Sequence, residues 1–217
     1  MAHFTIIGLG SFGLSACLEL IHLGHTVTGI DSDPKVAEMY VEYLNQVVIC
    51  DCTDENALRE LDLKSSDTVL VAIGEDMQSS ILCTLCLKNI GVENIWVKAN
   101  TKAHHTIISK LGVSRIIHPE EEMGIRVAQA LNYPTVNDYI TLGDGYYVVE
   151  IHIKEHLHNH AISSLLGGTP SSTEPLMVKR NKENITHLNS KFLLQSNDTL
   201  LLCGKRAALK KISPRLL

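Results

Sequence analysis

The segment Gly8-Leu9-Gly10-Ser11-Phe12-Gly13 constrains this chain more than any other six residues. It follows a β-branched, apolar run, Phe4-Thr5-Ile6-Ile7, and opens a helical period from Ser11 to about Leu23. Gly24-His25 then turns the chain into a second strand-like run, Thr26-Val27-Thr28-Gly29-Ile30, which ends on Asp31. A lone G-x-G-x-x-G is weak evidence. Strand, glycine turn, helix, second strand and terminal acid in this order form the dinucleotide-binding fingerprint. Gly8 permits the tight turn, Gly10 lets phosphate approach the backbone, and Gly13 lets helix and strand pack closely. The start of the helix offers unpaired N–H groups to the same phosphates. Asp31 is placed to accept from a ribose 2′,3′-diol and to repel a 2′-phosphate, which disfavours NADP. NAD, ATP, ADP and AMP all carry the diol, so the motif does not choose among them.

The alternation continues downstream. Asp33 caps a helix with Pro34 at its first position. Val47-Val48-Ile49 reads as a third strand, followed by a helix through 57–61. Thr68 to Ile73 is a near-continuous apolar strand, the signature of burial on both faces. Then come a long helix from Met77 to about Ile90, a strand at Ile95-Trp96-Val97, a helix from about Thr101 to Leu111, and a strand at Ile116-Ile117. Six strand–helix alternations predict an α/β fold with a doubly wound, parallel, six-stranded sheet. Ala72-Ile73-Gly74 should close the crevice where the strand order reverses, and Asp51 is placed near the adenine end.

After Pro119 the pattern changes. Glu120 to Leu131 reads as a crossover helix with Met123, Val127, Ala130 and Leu131 on one stripe, broadened by Ile125 and Ala128. So wide an apolar surface is either deeply buried or covered by a second copy of the chain. Asn132-Tyr133-Pro134-Thr135 breaks it. Residues 139–217 read as a small α+β lobe: strands at Tyr146–Ile153, Leu176–Val178 and Thr199–Cys203, helices at Ala161–Leu166 and Arg206–Ile212. Gly167 to Glu174 is rich in Gly, Ser, Thr and Pro and is expected to be a mobile loop. The expected boundaries are 1–119 for the nucleotide-binding lobe, 120–138 for the crossover helix and linker, and 139–217 for the C-terminal lobe.

Composition narrows the function classes. With 217 residues, 45% apolar and 20% charged, the chain is of ordinary globular make-up and can bury a real core. A formal charge of −5 argues against a nucleic-acid partner, which would call for a basic surplus. No apolar run reaches the roughly 18 residues of a membrane-spanning helix. Leu14-Ser15-Ala16-Cys17 resembles a lipoprotein cleavage box, but no Lys or Arg precedes Lys35, so the charged start of a signal peptide is missing. The six cysteines are therefore expected to stay reduced. Cys83 and Cys86 share a helical face and read as core packing, with a redox sensor as the alternative; Cys50 and Cys52 read the same way. His152, His156, His158 and His160 read as a solvated strand end and loop, with a metal site as the lesser alternative. His104-His105 reads as surface or phosphate-facing. No Ser/His/Asp arrangement or H-E-x-x-H occurs, and the tail is small for a catalytic domain. A non-enzyme is expected, with an NAD-dependent oxidoreductase as the competing class.

The segments IIGLGSFG (6–13), VTGID (27–31), CDCTDENAL (50–58), VLVAIGEDMQSSIL (69–82), NIWVKA (94–99) and SRIIHPEEEMGIRVAQAL (114–131) carry a resemblance. Together they resemble the KtrA/TrkA-type regulatory subunits of potassium-uptake systems, whose domains are called RCK (regulator of potassium conductance). Through 139–217 the likeness is weaker, though Asn197-Asp198-Thr199-Leu200 fits a step of the RCK C-lobe. The resemblance implies a Rossmann-like N-lobe and a cytoplasmic gating ring, an octamer built from dimers beneath an integral-membrane potassium-translocating subunit. In such rings ATP favours the conductive form and ADP the inactive one, and NAD(H) can also occupy the fold. Carried over, the nucleotide site would comprise Gly8, Gly10, Ser11, Phe12, Gly13, Asp31, Ser32, Asp51, Cys52, Ala72, Ile73, Gly74 and Lys98. Glu120 would help to hold Mg²⁺ or Ca²⁺ between the nucleotides of a dimer, oxygen ligation being suited to such ions. One position departs from the pattern. Ser11 stands where an arginine that reaches the γ-phosphate is common, and a neutral hydroxyl cannot supply that charge.

Overall fold

The computed structural model describes residues 1–132, 136–167 and 173–212. It divides into two compact units, Met1–Glu121 and Glu122–Leu217. In the first, strands β1 (His3–Ile7), β2 (Thr26–Asp31), β3 (Gln46–Ile49), β4 (Thr68–Val71), β5 (Ile95–Lys98) and β6 (Arg115–Ile117) form one sheet. Its order is β3-β2-β1-β4-β5-β6, with every pairing parallel. Between the strands run helices α1 (Ser11–His22), α2 (Pro34–Met39), α3 (Glu55–Arg59), α4 (Met77–Asn89) and α5 (Lys102–Lys110). This is the doubly wound Rossmann arrangement, and the order reverses between β1 and β4.

The strand sequences explain the two-sided cover. Ile6 and Ile7 point to opposite faces, yet they are only 1% and 2% exposed and belong to different core clusters. On one face Ile7 packs with Val69, Val71, Ile95, Leu87 and Ile108; on the other Ile6 packs with Leu9, Cys17, Val27 and Leu44. The helices start where the sequence places caps. Asp33, Asp54 and Asp76 each accept a backbone N–H two residues on, and Thr101 caps α5 through His104 N–H.

Helix α6 (Pro119–Asn132) leads into the second unit. Met123, Ile125, Val127 and Leu131 on it are all exposed in the single chain, so of the two readings of its apolar surface deep burial is excluded.

The second unit is an antiparallel sheet of β7 (Val136–Gly143), β8 (Tyr146–His152), β9 (Thr173–Arg180), β10 (Glu183–Ile185) and β11 (Thr199–Lys205), in the order β10-β9-β11-β8-β7. Helices α7 (Ile162–Leu166) and α8 (Arg206–Ile212) accompany it. Its core gathers Val149, Ile151, Val178, Leu200 and Leu202 with Ile162, Leu165, Leu194 and Ile212. Two strands here go beyond the sequence expectation. The edge strands β7 and β10 are joined to β8 and β9 by two-residue turns, Asp144-Gly145 and Asn181-Lys182. All four turn residues have positive φ, as the hairpin turn that matches strand twist requires. The expected loop over 167–174 is shortened, because β9 already begins at Thr173; residues 168–172 lie outside those described.

Candidate functional site

A cleft of about 400 Å³ opens at the β1/β4 reversal, of a size to admit a small organic ligand. Its floor is the turn between β1 and α1. Gly8 has φ +96°, and a Cβ there would lie 3.1 Å from Ile73 N, so glycine is needed both for the backbone angle and for the space. A Cβ on Gly13 would strike the Gly8 carbonyl. Gly10 has nothing within 4 Å of where its Cβ would be and borders the cleft. It also caps α1 without a side chain, so no side-chain acceptor competes for the first N–H groups of that helix. An open glycine before an uncapped helix N-terminus is a cradle a phosphate fits.

Asp31 fixes the rim. One carboxylate oxygen accepts Leu9 N–H at 2.7 Å and the other accepts Asp33 N–H at 2.9 Å. Each oxygen retains a lone pair, so the group is held in place and can still accept from a diol. Asp51 accepts both Thr53 N–H (2.9 Å) and Thr53 Oγ1–H (2.7 Å), and these bonds hold its carboxyl below the ordinary carboxylate range. Opposite stands Lys98 at the end of β5, 7% exposed, with its ammonium paired to Glu120 and 5.6 Å from the centre of the Phe12 ring.

Of the residues expected to line the nucleotide, Gly8, Gly10, Ser11, Phe12, Asp31, Ser32, Asp51, Cys52, Ala72, Ile73, Gly74 and Lys98 all border this one cleft. Gly13 does not; it packs beneath the turn. Glu120 lies off the wall and meets it only through Lys98. The sequence reading missed Ile7, Ile30, Cys50, Thr53, Glu75, Asp76 and Ser79, which complete the lining. The signal for Asp76 was present, since an acid before the apolar period Met77–Ile90 reads as a helix cap.

A cation at Glu120 does not fit a single chain. Its carboxylate is already engaged by Lys98, and among the described residues no three His, Cys, Asp or Glu side chains converge on a metal. Nor, among the described residues, do His152 at the end of β8 and His156, His158 and His160 after it form such a group. His104 corrects its reading: it is 2% exposed, not surface or phosphate-facing, because α5 turns that side inward, and its Nε2 has no hydrogen-bond partner among the described residues. His105 is exposed, with Nδ1 2.9 Å from His118 Nε2. The cysteines are free thiols. Cys83 and Cys86 are buried in the core of the first unit, and Cys86 donates to the Thr53 carbonyl at 3.5 Å. Burial pushes the Cys17 thiol up to about 12 and Cys50 up to about 11, and raises Cys86 as well. Such thiols are poor nucleophiles, which favours the packing reading.

Residues 4–119 match the family model of the TrkA-N domain. The chain belongs to the TrkA-N family. It is 36% identical to Ktr system potassium uptake protein A of Bacillus subtilis (strain 168) over 96% of this chain and 94% of that protein. It is 35% identical to Ktr system potassium uptake protein C of the same organism, over 99% and 97%. This TrkA-N chain also shares its fold with the RCK domain of GsuK, at a TM-score of 0.66 and 13% identity, covering 99% of this chain and 47% of that one. The GsuK channel bound to NAD gives a TM-score of 0.65 at 14% identity, over 99% of this chain and 39% of that one. Among the described residues of the TrkA-N chain, no helix is long and apolar enough to cross a membrane.

Proposed function

We propose that this chain is a nucleotide-sensing regulatory subunit that gates a membrane potassium-uptake channel or transporter, and that it is not an enzyme. The observation that carries the reading is the cleft at the β1/β4 reversal, an uncapped α1 N-terminus beside a positioned Asp31, in a chain similar to Ktr system potassium uptake protein A along nearly its whole length. The ligand would be ATP/ADP or NAD(H), held by the residues named above: phosphate on the turn from Gly8 to Phe12, ribose diol on Asp31, adenine toward Asp51. NAD in the GsuK channel supports the dinucleotide option. Residues 1–119 would act as the RCK N-lobe, 120–138 as crossover helix and linker, and 139–217 as the C-lobe. The exposed apolar residues of α6 suit a dimer contact, and dimers would assemble into an octameric ring at the cytoplasmic face of an integral-membrane translocating subunit. A Mg²⁺ or Ca²⁺ ion at Glu120 would need further oxygens from phosphates and from a second copy.

Gating then works by population shift. A nucleotide moves the ring only by its difference in affinity for two shapes, and hydrolysis is not required. Sizing by light scattering together with nucleotide titration tests the reading. An octamer-sized particle whose dimensions change between nucleotides is expected; a monomer indifferent to nucleotide would overturn it. Turnover of NADH with a substrate would instead establish the oxidoreductase alternative.

A further inference from the structure

Outside the cleft, two imidazoles from different elements face one another. His105 lies on the exposed side of α5, and His118 lies between the last residue of β6 and Pro119, where α6 begins. Their rings meet nitrogen to nitrogen, with His105 Nδ1 2.9 Å from His118 Nε2 and the ring planes 23° apart. The other nitrogen of His118, Nδ1, is 2.7 Å from the Ala99 carbonyl oxygen. A carbonyl can only accept, so His118 Nδ1 carries the proton and donates it. In the neutral ring Nε2 is then an acceptor, and His105 Nδ1–H donates to it. The carbonyl is itself well fixed: Ala99 is buried, and its N–H donates to the Ile117 carbonyl at 2.9 Å.

A histidine that ligates a metal nearly always gives its second ring N–H to a carbonyl or a carboxylate, which fixes the ring and makes the ligating nitrogen more basic. His118 already has that support from Ala99, and its other nitrogen meets a second imidazole. We propose that His105 and His118 form a binding site for a nitrogen-preferring divalent ion, zinc in the first instance. The ion takes the place of the hydrogen bond between the rings. His105 then carries its proton on Nε2, so both facing nitrogens offer lone pairs and no net proton is released. With Zn–N distances of about 2.0–2.1 Å the pair must open slightly, and the exposed His105 is the ring with room to turn. Two imidazoles supply two ligands, and water fills the remaining positions. Imidazole suits zinc, nickel and copper, whereas magnesium and calcium take oxygen. The site therefore differs in kind from the oxygen-ligated ion proposed at Glu120, and it does not depend on a nucleotide. An ion held here ties α5 to the start of α6.

Calorimetric titration of the full chain with zinc chloride, in chelator-free buffer without nucleotide, tests the site. The wild type is expected to show a zinc-binding event that His105→Gln and His118→Gln each weaken by about tenfold or more. His156→Gln, on the loop after β8, is expected to leave that event unchanged. Magnesium chloride at the same concentration is expected not to compete with zinc. Zinc should also raise the melting temperature of the wild type more than that of His105→Gln, a variant whose exposed position spares the fold. Absence of zinc binding to the wild type, an affinity unchanged in both histidine variants, or displacement of zinc by equal magnesium would overturn the inference. So would a loss in His156→Gln as large as that in His105→Gln.

Discussion

Asp31 ends one β-strand and Asp198 immediately precedes another, and both accept from backbone N–H, but their surroundings differ. Asp31 closes β2 on the rim of an open cleft, with Leu9 and Asp33 as its only partners among the described residues. Asp198 precedes β11 and is 1% exposed. Arg180 grips both its oxygens, at 2.9 and 2.7 Å, and Gln195 N–H adds a third bond at 2.8 Å. The same guanidinium also donates to the Leu193 carbonyl. The contrast follows from topology. A parallel sheet whose order reverses leaves a crevice at its carboxyl ends, where a polar group can wait for a ligand. An antiparallel sheet returns through hairpins, and its strand-end acid is spent on tying one connection to the next strand. In the proposed function the first carboxylate serves recognition; the second ties the fold.

That contrast can be broken at several points. The largest effect is expected at Arg180. Arg180→Met leaves Asp198 buried without its partner and should cost the second unit about 3 kcal/mol, read by urea denaturation, while nucleotide affinity of the first unit stays. Pairing it with Asp198→Leu should restore much of the loss. A single-variant cost within error of zero would show that the pair is not what ties the unit.

Next is Gly13→Ala, which drives a methyl group toward the Gly8 carbonyl. The turn must open, at a cost of about 2 kcal/mol, and nucleotide affinity should fall with it although Gly13 does not line the cleft. A thermal melt and a titration on the same sample separate the two effects.

The smallest effect appears only on acidification. His104 is held below its ordinary value of 6.5, chiefly by burial and secondarily by the nearby His118. The unfolded chain therefore takes up the proton more readily than the folded one. The stability this histidine contributes is present above about pH 6.5 and is lost as pH falls through that range. In denaturation curves at pH 7.5 and pH 5, His104→Leu should lose less stability than the wild type. Equal losses would remove His104 as a source of acid sensitivity.

Much of the first unit was legible in the sequence because its strands are buried on both faces. Val69–Val71 and Ile95–Val97 are apolar without interruption, and the glycine turn with Asp31 marks the crevice as well as the fold. The second unit was less legible for physical reasons. Strand β7 is an edge with Ile140 and Leu142 exposed, so no core demands a clear alternation from it. Its one clear signal was Asp144-Gly145, a favoured hairpin dipeptide. Asn181-Lys182 makes the same turn without glycine and gave little to read. In the site, the glycines and Asp31 follow from a spacing that the chemistry dictates. Asp76 could be read as the cap of α4, but that Glu75, Asp76 and Ser79 border the cleft is a tertiary fact that no local pattern carries. His104 failed because its polar neighbours masked its place on the inward side of α5, four residues before the buried Ile108.

The central claim is that the cleft binds an adenine nucleotide through a ribose diol held by Asp31. Calorimetric titration of wild type and Asp31→Ala with NADH and AMP tests it most directly, with the fold of the variant checked by its denaturation curve. Saturable binding to the wild type is expected, with a loss of at least about tenfold for both ligands in the variant. Equal affinities in the two proteins would contradict it.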